Sequence, residues 1–270
     1  MMFSILIAHY NNYAYFKDCY ASILKQSYQD FEVIILDDCS TDGSFEKIEN
    51  LVRDDSRVKL HQNKENKGVG FTKKRCVELA NGDICGFVDP DDAITAEALE
   101  LCVSQYTNPA IIATYSKINV CDESLNLQKV FENTRKIKGG NPLFFNIRFE
   151  ISHFFTFRKK AYKQIRGINP GLTVAEDMDL YLQLYDFGRI QYIPSALYYY
   201  RVHKKGLSHD PEKELIKVQN WHQVLLETLQ RRSISELYGK KTDAIENLPE
   251  FISTKQNTLM SKIVRRFFHS

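Results

Sequence analysis

Three groups of carboxylates and one histidine in a basic stretch are the residues of this sequence that could do chemistry. The densest group is Asp89, Asp91 and Asp92, at the end of Ile84-Cys85-Gly86-Phe87-Val88-Asp89-Pro90-Asp91-Asp92. Carboxylates this crowded repel one another, which is costly unless a cation neutralises them. The apolar run before them is short enough for a buried strand and is stopped by proline. A strand that delivers acidic side chains from its C-terminal end suits an α/β sheet, where ligands sit beyond the carboxyl edge. The stretch therefore reads as a divalent-metal and phosphate site, against the plainer reading of a solvated turn that caps the next helix. A calcium loop fails, because counting from Asp89 puts Ala93 and Ile94 where an oxygen ligand and a glycine belong. A phosphohydrolase with an aspartyl nucleophile is a weaker rival: its D-x-D usually follows the first strand and precedes threonine, whereas this one follows the fourth and precedes Ala93.

The second group, Asp37-Asp38, ends another apolar run, so it falls on the same sheet edge. An acidic residue there can accept hydrogen bonds from a ribose hydroxyl or a base N–H; a simple helix-entry turn would also account for it. The third is Glu176-Asp177-Met178-Asp179, in the first turn of a predicted helix. The macrodipole favours carboxylates there, which explains them as helix caps and also keeps Asp177 ionised and able to take a proton from a hydroxyl. The histidine is His203, in Tyr200-Arg201-Val202-His203-Lys204-Lys205. Such a loop is usually plain surface, but it is also what closes over a pyrophosphate and its metal.

The elements that must position these groups alternate. Strands are predicted at Phe3–Ala8, Phe31–Leu36, Arg57–His61 and Ile84–Val88. Helices are predicted at Tyr13–Gln26, Phe45–Val52 (with Ser44 as N-cap) and Phe71–Ala80. This order argues for a largely parallel sheet covered on both faces. A helix over Thr95–Tyr106 and a strand over Ala110–Tyr115 follow, then a polar, irregular middle from Ser116 to Asn146. Further strands are expected at Ile151–Phe157, Ile190–Ile193 and Ala196–Tyr200, and helices at Lys159–Ile165 and Glu176–Phe187. From Pro211 the pattern is helical and amphipathic. A dinucleotide fold is set aside, because the turn His9–Asn12 lacks the glycines of G-x-G-x-x-G and Gly68-Val69-Gly70 follows the wrong strand.

Composition narrows the class. The chain has 270 residues, and its 36 lysines and arginines nearly balance 34 aspartates and glutamates, so no strong field points to nucleic acid. Six cysteines without a C-x-x-C pair read as reduced thiols of a cytosolic protein. The first residues lack a basic segment, no run approaches membrane-spanning length, and the expected location is the cytoplasm.

Taken in order, the motifs resemble those of the inverting family 2 glycosyltransferases with the GT-A fold. SILIAHYNN resembles the opening strand and Y-N turn, and VIILDDCSTDGS the D-D-G-S-x-D-G-S segment. ENKGVGFTKKRCVELANGDICGFVDPDD resembles N-x-G-x-x-x-A-R-N…G-E-Y-I-x-F-L-D-x-D-D. FRKKAYKQIRGINPGLTVAEDMDLYLQL resembles G-G-F-x-x-x-x-x-x-E-D-x-D-L, and YYYRVHKKGLSH resembles Y-R-x-H-x-x-x-x-S. The resemblance covers about residues 1–210 and implies a GT-A domain there, a Rossmann-like, mostly parallel sheet flanked by helices, with a helical extension over 211–270. It implies that Ala8, Tyr10 and Asp38 hold the base and ribose of a nucleotide-diphosphate sugar, that Arg75 lies near the pyrophosphate, and that Asp89 faces the ribose. Asp91 and His203 would bind Mg²⁺ or Mn²⁺, Asp92 competing with Asp91 for that role, and Asp177 would be the general base.

The expected donor is a UDP-sugar and the expected acceptor a hydroxyl of a saccharide or lipid-linked molecule in cell-surface polysaccharide synthesis. A non-catalytic scaffold of the same fold is the main alternative. The departures are Ala8-His9 for Pro-Thr, Cys39 for glycine, and Cys76-Val77 after Arg75. The phenylalanine-rich segment from Phe144 to Phe157, with His153, is expected to border the acceptor side. The apolar and basic tail Leu259–Phe268 is a candidate for contact with an anionic membrane surface or with another subunit.

Overall fold

The structure, a computed structural model, describes residues 1–203 and 214–256. The first half alternates β1 (Phe3–His9), α1 (Tyr13–Leu24), β2 (Phe31–Asp37), α2 (Ser44–Val52), β3 (Val58–Gln62), α3 (Val69–Leu79) and β4 (Ile84–Phe87). After it come β5 (Ala93–Ile94), α4 (Ala98–Gln105), β6 (Ile111–Cys121), β7 (Leu127–Val130), β8 (Thr156–Arg158), α5 (Lys159–Tyr162), α6 (Glu176–Phe187) and β9 (Arg189–Arg201). Helices α7 (Glu214–Arg231) and α8 (Leu248–Gln256) close the described chain.

The main sheet runs β3-β2-β1-β4-β8-β6-β9-β5, with β7 paired to β6. The strands from β3 to β4 are parallel, as the alternation predicts, whereas β8 enters antiparallel between β4 and β6. Every residue of β2 is buried, as expected of a strand covered on both faces. The two-residue period sorts the side chains of β1. Phe3, Ile5 and Ile7 pack against α1, α2 and α4, while Leu6 packs with Cys76 and Val77 of α3 and Leu180 and Leu184 of α6. A third cluster fastens α7 and α8 to α6, through Leu225, Leu229, Leu248 and Ile252 against Leu182.

The differences from the sequence reading have physical causes. Strand β6 runs on through residues expected to be irregular, because its buried polar side chains find partners distant in sequence: Ser116 Oγ accepts the Phe154 N–H at 2.8 Å, and Asn119 Nδ2 donates to the Ala196 carbonyl of β9 at 3.2 Å. The two strands expected at 190–193 and 196–200 are one, β9, whose register against β6 slips between Ile193 and Ala196, where Pro194 has no N–H to give. The strand expected over Ile151–Phe157 shrinks to Thr156–Arg158. Helix α2 begins at Ser44 and is capped by Gly43 in the left-handed region at φ 74°, not by Ser44. The tail Leu259–Phe268 lies outside the described residues. Among those described, no helix is long and apolar enough to cross a membrane.

Candidate active site

Three segments distant in sequence meet at one edge of the sheet. Strand β4 ends and Pro90 follows, so the chain turns, closed by the Asp92 N–H donating to the Asp89 carbonyl at 3.0 Å. The next residues form β5, which pairs antiparallel with β9: Ala93 stands opposite Tyr199 and Ile94 opposite Tyr198. That pairing returns the end of β9 to the acidic turn. The Arg201 N–H donates to Asp92 Oδ1 at 2.7 Å, and the buried Arg201 guanidinium donates through Nε to the Asp91 carbonyl at 2.6 Å and through Nη2 to Asp18 at 2.9 Å. Two residues on, His203 Nε2 lies 2.9 Å from Asp91 Oδ2, with its ring centred 4.5 Å from that of Tyr15.

Asp91 and Asp92 therefore differ in place. Asp92 is buried against the Arg201 backbone, and burial together with the neighbouring Asp91 and Asp89 charges pushes its carboxyl well above the ordinary range. Asp91 is the one that faces His203. Among the described residues no three His, Cys, Asp or Glu side chains converge on one point. The pair nevertheless suits an octahedral Mg²⁺ or Mn²⁺: cis ligands of such an ion stand about 3.0 Å apart, and ions of this kind draw their other ligands from substrate phosphates and water.

The third segment arrives with α6. Ala175 before it is left-handed at φ 63°, and Glu176 and Asp177 occupy the first turn. Glu176 is buried and accepts from Lys73 Nζ at 2.8 Å; the same ammonium lies 3.2 Å from Asp89 Oδ1. Burial works against that charge, but Asp89, Glu176 and Asp177 outweigh it and hold Lys73 above the ordinary lysine range. In turn, Asp89 is held below the usual carboxylate range: burial opposes this, but the Lys73 and His153 charges prevail. Asp177 is 31% exposed, its Oδ1 accepting the Met178 N–H and its Oδ2 standing 3.8 Å from His153 Nε2. Asp179, by contrast, is fully buried and doubly bonded by Arg166 at 2.7 and 2.8 Å, so it anchors the helix.

The remaining expectations divide. Asp38 is buried and accepts from Asn63 at 2.7 Å, the Lys67 N–H at 2.9 Å and the Gly68 N–H at 2.8 Å, so it fastens the loop ahead of α3. Ala8 is half-buried at the end of β1, and Tyr10 is exposed beside it. His9, the departure from Pro-Thr, turns into the α1 side of the sheet, where its Nδ1 meets Asp37 Oδ2 at 3.0 Å and its ring meets Phe16 edge-on. Arg75 is not brought to this edge. It lies on the exposed face of α3, paired with Glu78 at 3.0 Å, and Lys73 is the cation that α3 turns inward. The signal was in the spacing: counting seven residues from Asn66 along N-x-G-x-x-x-A-R-N places Lys73, not Arg75, under the arginine. The pairing of Glu176 with Lys73 and the approach of His153 to Asp177 carried no sequence signal.

The profile described as "Glycosyl transferase family 2" matches residues 4–166. Chondroitin synthase of Escherichia coli is 29% identical over 252 residues, covering 92% of this chain and 35% of that protein. The chain thus spans about a third of the length of that relative. Among solved structures, Staphylococcus aureus TarS 1–349 in complex with UDP-GlcNAc superposes with a TM-score of 0.71 at 24% identity, over 85% of this chain and 66% of that one. The Pyrobaculum calidifontis mannosyltransferase PcManGT in complex with GDP-Man and Mn²⁺ gives a TM-score of 0.62 at 15% identity, over 99% of this chain and 79% of that one. These structural likenesses establish the GT-A fold. A family match across more than half of the chain, on a sheet whose carboxyl edge gathers Asp89, Asp91, Asp177 and His203, places this protein in glycosyl transferase family 2.

Proposed function

We propose that this chain transfers a sugar, with inversion, from a nucleotide-diphosphate sugar to a hydroxyl of a saccharide or lipid-linked acceptor. The observation that carries the reading is the double contact of Lys73, which joins the acidic turn through Asp89 to the first turn of α6 through Glu176, next to Asp177. Donor-side and base-side carboxylates are thereby held within one ion pair of each other, as a single in-line displacement requires. Asp177, exposed enough to meet a substrate, accepts the proton of the acceptor hydroxyl as that oxygen attacks the anomeric carbon. Asp91 and His203 would hold Mg²⁺ or Mn²⁺, which supplies neutralisation of the charge growing on the departing diphosphate. Asp89, Asp38, Ala8 and Tyr10 are the residues assigned to the nucleotide in this reading.

A UDP-sugar is the favoured donor, since the structural neighbour TarS is solved in complex with UDP-GlcNAc, and cell-surface polysaccharide synthesis is the favoured setting, since one sequence relative is named a chondroitin synthase. The deciding experiment is titration of UDP and GDP with and without Mn²⁺, followed by transfer assays of Asp177→Asn. Metal-dependent binding of one nucleotide, kept in a variant whose transfer rate falls at least about 10²-fold, supports the reading. Unchanged turnover in Asp177→Asn removes it as the base.

A further inference from the structure

His153 has no role in the reading above, yet its ring is held beside Asp177 by stacking on an aromatic neighbour. The peptide that follows it is held by one hydroxyl: Ser116 Oγ donates to the His153 carbonyl at 3.2 Å and accepts the Phe154 N–H at 2.8 Å. The imidazole stacks on Tyr198 with centroids 4.9 Å apart and planes 21° from parallel, and the Tyr198 hydroxyl accepts the Asp89 N–H at 3.1 Å. The plane of the ring is thus tied to the acidic turn. At its inner edge Nδ1 approaches the Tyr181 hydroxyl at 3.5 Å, which leaves Nε2 as the free edge, 3.8 Å from Asp177 Oδ2.

That separation exceeds a direct hydrogen bond. It matches what a shared oxygen needs: an oxygen about 2.8 Å from both atoms would see them at an angle of about 85°. Both side chains also line one small cavity, with Lys73, Glu176, Phe155 and Tyr181 among its other walls. Its volume of ≈ 10 Å³ is the room of about one water-sized oxygen.

We propose that His153 is the second contact to the attacking hydroxyl of the acceptor. The hydroxyl donates its hydrogen to Asp177 and accepts a hydrogen bond from His153 Nε2–H, and its remaining lone pair is aimed at the donor sugar. As the bond to the anomeric carbon forms and the bond to the diphosphate breaks, the proton passes to Asp177; His153 neither gains nor loses one. The inference rests on Asp177 being the base, and it adds what fixes the direction of attack. Without acceptor, a water molecule takes the same place.

Two measurements test it. A crystal structure with UDP and Mn²⁺ is expected to show an ordered water within hydrogen-bond distance of both Asp177 Oδ2 and His153 Nε2. A closed direct bond between the two, or no water between them, overturns the proposal. In solution, slow release of UDP from UDP-GlcNAc in water reads the same seat. His153→Ala is expected to lower that rate at least tenfold with the affinity for UDP and Mn²⁺ unchanged, and His153→Gln, whose amide N–H can replace Nε2–H, to restore part of it. If Asp177→Asn abolishes release while both His153 variants match the parent, His153 has no such contact but the base assignment stands. If Asp177→Asn is itself unimpaired, the base assignment fails first.

Discussion

Lys73 Nζ and Glu176 Oε1 lie 2.8 Å apart in the interior, joining helices α3 and α6 from positions 103 residues apart. A buried ion pair of this kind contributes little net stability, because desolvation cancels most of the attraction, but removing one partner strands the other charge. The stranded charges here would be Glu176 and Asp89, both next to the reaction path. Lys73→Met is therefore expected to cost about 3–5 kcal/mol in unfolding free energy, whereas Lys73→Arg should retain most of it. Chemical denaturation of the two variants checks this; a Lys73→Met protein as stable as the parent would mean that the two carboxylates find partners elsewhere.

The 2.9 Å approach of Asp91 to His203 makes a second prediction. In the parent, Mn²⁺ should tighten UDP binding and a chelator should remove the gain. In Asp91→Asn or His203→Ala the nucleotide should still bind weakly, with the metal-dependent increment reduced at least tenfold in each, since two protein ligands leave little redundancy. Calorimetric titration distinguishes the cases, and an undiminished increment in both variants would exclude this pair as the metal site.

How much of this was readable beforehand follows from what each feature depends on. The first four strands and three helices were legible because two-residue and helical periodicity, with turn residues between them, are local signals. Asp91, Asp177 and His203 were named from motif order, and the β5–β9 pairing explains how Asp91 and His203 come to meet. Strand β5 itself went unseen, since two residues carry no period. Strand β6 beyond Tyr115 was not legible because its polar side chains, Ser116 and Asn119, find their partners only in segments distant in sequence. Lys73 was passed over for Arg75 because both are basic and two positions apart, and only the helical turn decides which faces inward. The placement of His153 depends on Tyr198 and Ser116, which no local pattern could announce.

Gly70, in the first turn of α3, is a site where one methyl group should matter. A Cβ there would lie 2.5 Å from the Leu172 carbonyl oxygen and 2.6 Å from that of Asn169, both backbone atoms that cannot swing aside as a side chain would. The Gly70 N–H already donates to Leu172 at 3.2 Å, so helix and loop are in direct contact. That loop leads through Ala175 into Glu176 and Asp177. Gly70→Ala is expected to cost about 1–3 kcal/mol through overpacking and to lower the transfer rate more than nucleotide affinity, because the displaced segment carries the base. An equal loss of both would point to a general collapse of α3 instead.

Glu32 gives the acid limb of stability. It is buried at the sheet edge opposite the acidic turn, where it accepts from Ser4 Oγ at 2.7 Å and the Gly82 N–H at 3.2 Å and pairs with Lys59 at 2.6 Å. Burial alone would raise its pKa, but the Lys59, Ser4 and Asn81 contacts outweigh that and lower it to about 2. The folded state thus binds this proton more weakly than the unfolded chain, in which a glutamate titrates at about 4.3. The stability it contributes is complete above that value and disappears as pH falls toward 2. A shift of this size corresponds to about 3 kcal/mol at most, less after allowance for the exposed Lys59 end of the pair. Glu32→Gln should therefore be about 1–3 kcal/mol less stable than the parent at pH 7, with the gap narrowing between pH 4.5 and 2. Asp55, also lowered to about 2, adds its own acid loss to both proteins, so only the difference between them reports on Glu32. Urea denaturation of the pair at pH 7, 4 and 2.5 reads that difference, and a gap that stays constant with pH would show that Glu32 is not an ionised anchor.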